Sequence, residues 1–146
     1  MIKLIALTVL FTLTAVLTAG EGWLTNLDKA KVLAKKEKKM ILVEFTGSDW
    51  CPPCKALKKT VFTSSAFKKY ATESLVLVEF DFPRGKNLVT KEQAKYNRAQ
   101  AKKFAVKGYP TVILMDANGK QLMKKVGFGR TSAEAYIKAL KAAKLQ

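Results

Sequence analysis

Histidine is missing from all 146 residues, and cysteine occurs only twice. Without imidazole, Ser-His-Asp and Cys-His nucleophilic catalysis, histidine-dependent zinc binding and imidazole acid–base work all drop out. Two thiols are too few for a four-thiolate metal site within one chain. Acidic residues are scarce as well: 11 Asp and Glu stand against 27 Lys and Arg, a formal net charge of +16. Internal repeats, low-complexity tracts and Pro/Gly/Ser linkers are also lacking. The length suits one domain with a single core. Any chemistry must therefore come from carboxylates, lysines, hydroxyls or the two thiols.

One apolar stretch lies at the very start. Leu4 to Leu17 follows the basic opening Met1-Ile2-Lys3 and precedes the small residues Thr18-Ala19-Gly20. That three-part layout predicts a secretory signal peptide over residues 1–20, and the apolar run is short for a membrane span. Cleavage after Ala19 or Gly20 would leave residues 21–146 as the domain; an uncleaved segment would tether it to the membrane. No cysteine lies near the junction, which excludes a lipoprotein anchor. The expected compartment is the periplasm or the exterior, where a disulfide can persist.

Periodicity supplies the elements. Trp23 to Lys39 reads as a helix through Leu27, Ala30, Leu33 and Ala34, capped by Thr25 or Asn26 and ending in a lysine cluster. Met40 to Phe45 reads as a strand buried on both faces, with Glu44 its one charge. Cys51 to Phe62 reads as a helix whose Cys54, Leu57 and Val61 face inward, with Lys55, Lys58 and Lys59 pointing away. Helices are also expected at Ser65–Glu73, Thr90–Phe104 and Ala133–Lys144, the last burying Ala135, Ile137 and Leu140. Strands are expected at Leu75–Phe82, Thr111–Met115 and Gln121–Val126, the last two joined by the turn Asp116-Ala117-Asn118-Gly119. The sum is an α/β domain with a central mixed sheet of about four to five strands, covered by helices on both sides.

Trp50-Cys51-Pro52-Pro53-Cys54 falls between the buried strand and a helix. One reading is a small structural disulfide, although so short a loop restrains little of the unfolded chain. The other is a redox dithiol, and placement favours it. Cys51 would sit at a helix N-terminus, where free amide N–H groups and the dipole stabilise a thiolate able to attack a disulfide. Cys54, one turn further in and on the apolar side, would stay protonated and resolve the mixed disulfide.

At this point the chain resembles the thioredoxin superfamily, over about residues 22–146. The resemblance is carried by Leu42-Val43-Glu44-Phe45, the Trp50–Cys54 motif, Gly108-Tyr109-Pro110-Thr111 and Val126-Gly127 before the last helix, all in order. The stretch Phe45-Thr46-Gly47-Ser48-Asp49-Trp50 is most similar to exported bacterial thioredoxin-like proteins. It is also similar to the soluble C-terminal domain of the membrane protein that carries reducing equivalents into the periplasm.

The resemblance implies a thioredoxin-like three-layer sandwich and a set of site residues. Pro110 is implied to be the cis-proline opposite the dithiol, leaving the Tyr109 backbone free to pair with an extended client segment. Glu44 matches the buried carboxylate that takes the proton of the second cysteine. Thioredoxin proper has an aspartate there, one residue fewer before the tryptophan, and often a lysine on the neighbouring strand where this chain offers Leu77, Val78 and Glu79. Trp50 is expected to shield the dithiol and shape the client surface, whereas Thr46, Ser48 and Asp49 receive no role. Pro52 and Pro53 would tune the potential. Proline directly before the second cysteine leans toward a reductant, while Lys55 and Lys58 pull the other way by stabilising thiolate.

The remaining positive charge includes a stripe of Lys91, Lys95, Arg98 and Lys102 on one helix, expected to be a solvated face opposite Ala94, Ala101 and Phe104. The expected activity is exported thiol–disulfide exchange, with no cofactor beyond the Cys51–Cys54 disulfide and no metal. Its partners would be disulfide-containing clients and an upstream dithiol donor that could be membrane-bound; nucleic acid is excluded and the chain is expected to be a monomer. The alternative is a non-catalytic binding module whose basic face docks an acidic partner or a membrane surface.

Overall fold

The structure, a computed structural model, describes residues 22–145, so the signal-peptide expectation for residues 1–20 falls outside the described residues. Five strands form one mixed sheet in the order β1-β3-β2-β4-β5. They are β1 (Trp23–Leu24), β2 (Met40–Thr46), β3 (Leu75–Asp81), β4 (Thr111–Met115) and β5 (Gln121–Val126). The first three run parallel; β4 is antiparallel to β2, and β5 to β4. Five α-helices cover the sheet: α1 (Leu27–Glu37), α2 (Pro52–Leu57), α3 (Ser65–Ser74), α4 (Lys91–Lys103) and α5 (Ala133–Lys144). This is the expected thioredoxin-like sandwich.

The central strand β2 is buried at every position. Its alternation divides the core into two layers. Met40 and Leu42 join Leu57, Val61, Phe62, Phe67, Tyr136 and Leu140 beneath α2, α3 and α5. Ile41, Val43 and Phe45 join Leu27, Ala30, Ala34, Val78 and Phe80 beneath α1. The same alternation sends Glu44 to the side covered by α2 and α5.

Three local expectations are corrected. Trp23 and Leu24 do not open the first helix; they form β1 beside Leu77 and Val78 of β3. The helix waits for its cap, the Asn26 side chain, which accepts from the Lys29 N–H at 2.9 Å. Trp23 instead packs on Phe62, with ring centroids 5.1 Å apart. The helix expected to run regularly from Cys51 to Phe62 is α-helical to Leu57 and then takes a π-helical turn over Lys58–Phe62. In α5, Ala135 is exposed, and the inward phase is set by Ala133, Tyr136, Ile137, Leu140 and Ala143.

In α4 the expectation holds, and a buried polar residue is added to it. Its lysine and arginine stripe is exposed as expected, and Ala94, Ala101 and Phe104 are half-buried. The one fully buried residue of α4 is Asn97. Its amide nitrogen donates to the Asp81 carbonyl at 2.8 Å, and its oxygen accepts from the Gln93 amide at 2.7 Å. Gln93 also donates to the Thr25 carbonyl at 2.9 Å, and the Tyr96 hydroxyl accepts from the Leu27 N–H at 3.1 Å. Polar bonds therefore fix α4 against the carboxyl end of β3, satisfying groups that would be costly to bury unpaired.

Candidate redox site

Between β2 and α2 the chain doubles back at Gly47, whose carbonyl accepts the Cys51 N–H at 2.9 Å and the Trp50 N–H at 3.3 Å. A Cβ at Gly47 would run into the Trp50 indole, so this turn needs glycine to let the ring fold over it. Cys51 is the N-cap of α2 and forms a disulfide with Cys54, their Cα atoms 5.3 Å apart. Both cysteines are 2% exposed. Burial therefore does not separate them; their positions on the helix do.

The expectation of several free amides around Cys51 needs correction. Pro52 and Pro53 occupy the first two helical positions and have no N–H. The Cys51 N–H is taken by Gly47, which leaves the Cys54 N–H as the first-turn donor available to a Cys51 sulfur.

Trp50 and Tyr109 lie against each other beside the motif. The Tyr109–Pro110 bond is cis. Tyr109 meets Trp50 edge-on at 5.8 Å and packs on Phe82 at 5.3 Å. The Trp50 indole N–H donates to the Phe82 carbonyl at 2.8 Å. Pro110 is buried, and its carbonyl accepts the Gly127 N–H at 2.7 Å.

Ser48 and Asp49, without a role in the sequence reading, tie this loop to the end of β3. The Asp81 carboxylate accepts the Ser48 N–H at 2.9 Å and its hydroxyl at 2.6 Å. The Asp49 carboxylate accepts the Gly85 N–H at 2.7 Å and the Arg84 N–H at 3.0 Å. Those bonds, Gly85 first, hold the Asp49 carboxyl below the usual carboxylate range. Arg84, which the sequence reading passed over, lies with its guanidinium carbon 4.2 Å from the Trp50 ring centroid. Lys55 closes the other side by donating to the Asp49 carbonyl at 2.8 Å.

Glu44 is 1% exposed, and its Oε1 has no hydrogen-bond partner among the described residues. It lies on the side of the sheet covered by α2, whose inward face carries Cys54 and Leu57. Glu44 borders a small cleft, with room for about one water, lined also by Trp23, Lys58, Phe62, Thr63 and Glu79. Burial pushes its carboxyl up to about 8, the Glu79 charge adding to this and the Lys58 ammonium opposing it. Burial likewise raises Glu79 above the ordinary range. The buried Tyr136 hydroxyl has no hydrogen-bond partner among the described residues, and burial together with Glu44 pushes it up.

Lys58 is exposed, as expected, but it is not remote from the site. It follows Cys54 by four residues, one helical turn, and lines the Glu44 cleft. The cation that the neighbouring strand lacks comes from the helix instead.

Comparison with known proteins agrees with this geometry. A family model described as a thioredoxin-like domain matches residues 27–144. The chain is 38% identical over 110 residues to "Disulfide bond reductase DsbH" of Chlamydia pneumoniae, covering 75% of this chain and 65% of that protein. It is 31% identical over 120 residues to "Thiol:disulfide interchange protein DsbD" of Ralstonia nicotianae, covering 82% of this chain but only 18% of that much longer protein. Among solved structures, "DsbH Oxidoreductase" superposes with a TM-score of 0.76 at 36% identity, over 85% of each chain. The oxidised C-terminal domain of Neisseria meningitidis DsbD shares the fold at a TM-score of 0.59 and 18% identity, over 80% of this chain and 91% of that one. With the family pattern matched along nearly all of the described residues, this chain belongs to the thioredoxin-like domain family.

Proposed function

We propose that the protein is an exported thiol–disulfide oxidoreductase that reduces disulfides in client proteins. The observation that carries this reading is the Cys51–Cys54 disulfide at the start of α2, on the side of the sheet that holds the buried carboxyl of Glu44. The similarity to a protein named as a disulfide bond reductase supports the reducing direction, as does proline directly before Cys54.

In the cycle, the reduced protein begins with a Cys51 thiolate, stabilised by the helix N-terminus and the Cys54 N–H. It attacks one sulfur of the client disulfide, the client S–S bond breaks, and the departing client sulfur takes a proton. The Cys54 thiol then gives its proton to the Glu44 carboxylate, directly or through a water in the cleft, and attacks the Cys51 sulfur. The second client thiolate leaves. The client has gained two electrons and the protein holds the Cys51–Cys54 disulfide, which an upstream dithiol donor reduces. Trp50, Tyr109 and Pro110 form the surface that the client meets, the Tyr109 backbone pairing with it in extended form. Export by residues 1–20 belongs to the same proposal.

A turnover assay tests the reading. Purified protein with dithiothreitol should accelerate insulin disulfide reduction, and Cys51→Ser should abolish it. No acceleration, together with partner binding unchanged in Cys51→Ser, would leave the non-catalytic binding module in its place.

A further inference from the structure

Arg84 is held at two points beside the disulfide. Its backbone N–H is fixed by the Asp49 carboxylate at 3.0 Å, and its guanidinium lies 4.2 Å from the ring centroid of Trp50, the residue before Cys51. Tyr109 occupies another flank of the same indole. Arg84 is exposed. The ion pairs among the described residues are Lys31–Asp28 and Lys39–Glu37, so no described carboxylate lies within ion-pair distance of Arg84. Asp49, its neighbour in space, is engaged by backbone N–H groups instead. A planar guanidinium is therefore laid on an aromatic ring next to the reactive pair, with no charge partner of its own.

Such a group is pre-organised for one kind of ligand. Stacking restricts the rotamers of the long side chain, so less freedom is lost when it binds, and the fork of N–H donors matches a carboxylate bidentately. We propose that Arg84 is a specificity residue that recognises a carboxylate on the client polypeptide, an aspartate or glutamate close in sequence to the disulfide being reduced. This rests on the oxidoreductase reading and deepens it: the client class becomes disulfides flanked by acidic residues. Lys86, exposed two residues on, and Lys55, exposed and bonded to the Asp49 carbonyl, contribute to a field of the same sign.

The test uses synthetic peptides containing one disulfide, with Asp, Asn or Lys placed in turn at each of the three positions on either side of a cysteine. Reduction by the protein is followed at fixed dithiothreitol. Wild type should prefer the Asp peptide over the Lys peptide at one or more positions, and added salt should shrink the preference. Arg84→Met should raise KM for the preferred Asp peptide roughly five-fold and leave kcat and the Asn peptides unchanged. Arg84→Lys should restore only part of the preference. A wild type indifferent to charge at every position overturns the proposal. So does an equal loss on all peptides in Arg84→Met, which would mean that the arginine only supports Trp50; indole fluorescence would then shift as well. If wild type reduces none of the peptides or insulin, the oxidoreductase reading falls and this inference with it.

Discussion

Glu44 of β2 stands in register with Glu79 of the adjacent parallel strand β3, so two carboxyls are neighbours on the central strands. Lys58, exposed on the helical segment after α2, is the cation that lines the cleft they share. The arrangement reverses what the thioredoxin resemblance led one to look for, a lysine on the strand beside the buried acid. Burial first, and then the Glu79 charge, pushes the Glu44 carboxyl up to about 8 while Lys58 opposes it, and the consequences are measurable.

Stability should depend on Glu44 with a definite sign. Its folded value lies above the ordinary 4.5, so its contribution is fully present below pH 4.5 and is lost as pH rises through about 8. Glu44→Gln removes that dependence while keeping the side-chain size. Chemical denaturation of the oxidised protein should show the variant more stable than wild type by about 3 kcal/mol at pH 7, with the difference fading by pH 4. Equal pH profiles for the two proteins would contradict a buried, protonated Glu44.

Lys58 and Glu79 should move the Glu44 titration in opposite directions. Lys58→Met removes the charge that favours the carboxylate, so the transition rises; Glu79→Gln removes a like charge, so it falls. Carboxyl carbon chemical shifts followed through a pH titration read this directly. Breakdown of a trapped mixed disulfide should follow the same order: its rate climbs with the Glu44 carboxylate, and Glu44→Gln slows it on the order of 100-fold. Shifts of the same sign in both variants would rule out the cleft electrostatics described above.

The two prolines set how many donors face the Cys51 sulfur. Pro52→Ala returns one N–H to the first turn of α2, which favours the thiolate and with it the reduced form. The reduction potential should rise by about 20 mV, equivalent to roughly 1 kcal/mol for a two-electron couple. An unchanged or lower potential would show that the missing amides do not restrain the thiolate.

What the sequence made legible was what neighbours in the chain decide. The almost continuous apolar run Met40–Phe45, the Asp116–Gly119 turn and the Cys51/Cys54 spacing each carry their signal within a few residues, and each element stands where expected. Trp23 and Leu24 were misread because a two-residue edge strand has no pattern of its own; only pairing with β3, some fifty residues away, defines it. Asn97 was missed because a buried amide on a polar helix looks solvated until its acceptor, the Asp81 carbonyl, is in place. Lys58 and Arg84 are exposed, and nothing in the sequence sets them apart from the other surface charges. Their partners, Glu44 and Trp50, lie on other elements, and only the folded chain brings them together.

The reduction potential of the Cys51/Cys54 couple, equilibrated against glutathione at pH 7, tests the central claim most directly. A reductant should lie near the roughly −270 mV of thioredoxin; a value near about −120 mV, that of a strong oxidant, would contradict the proposed direction of electron flow.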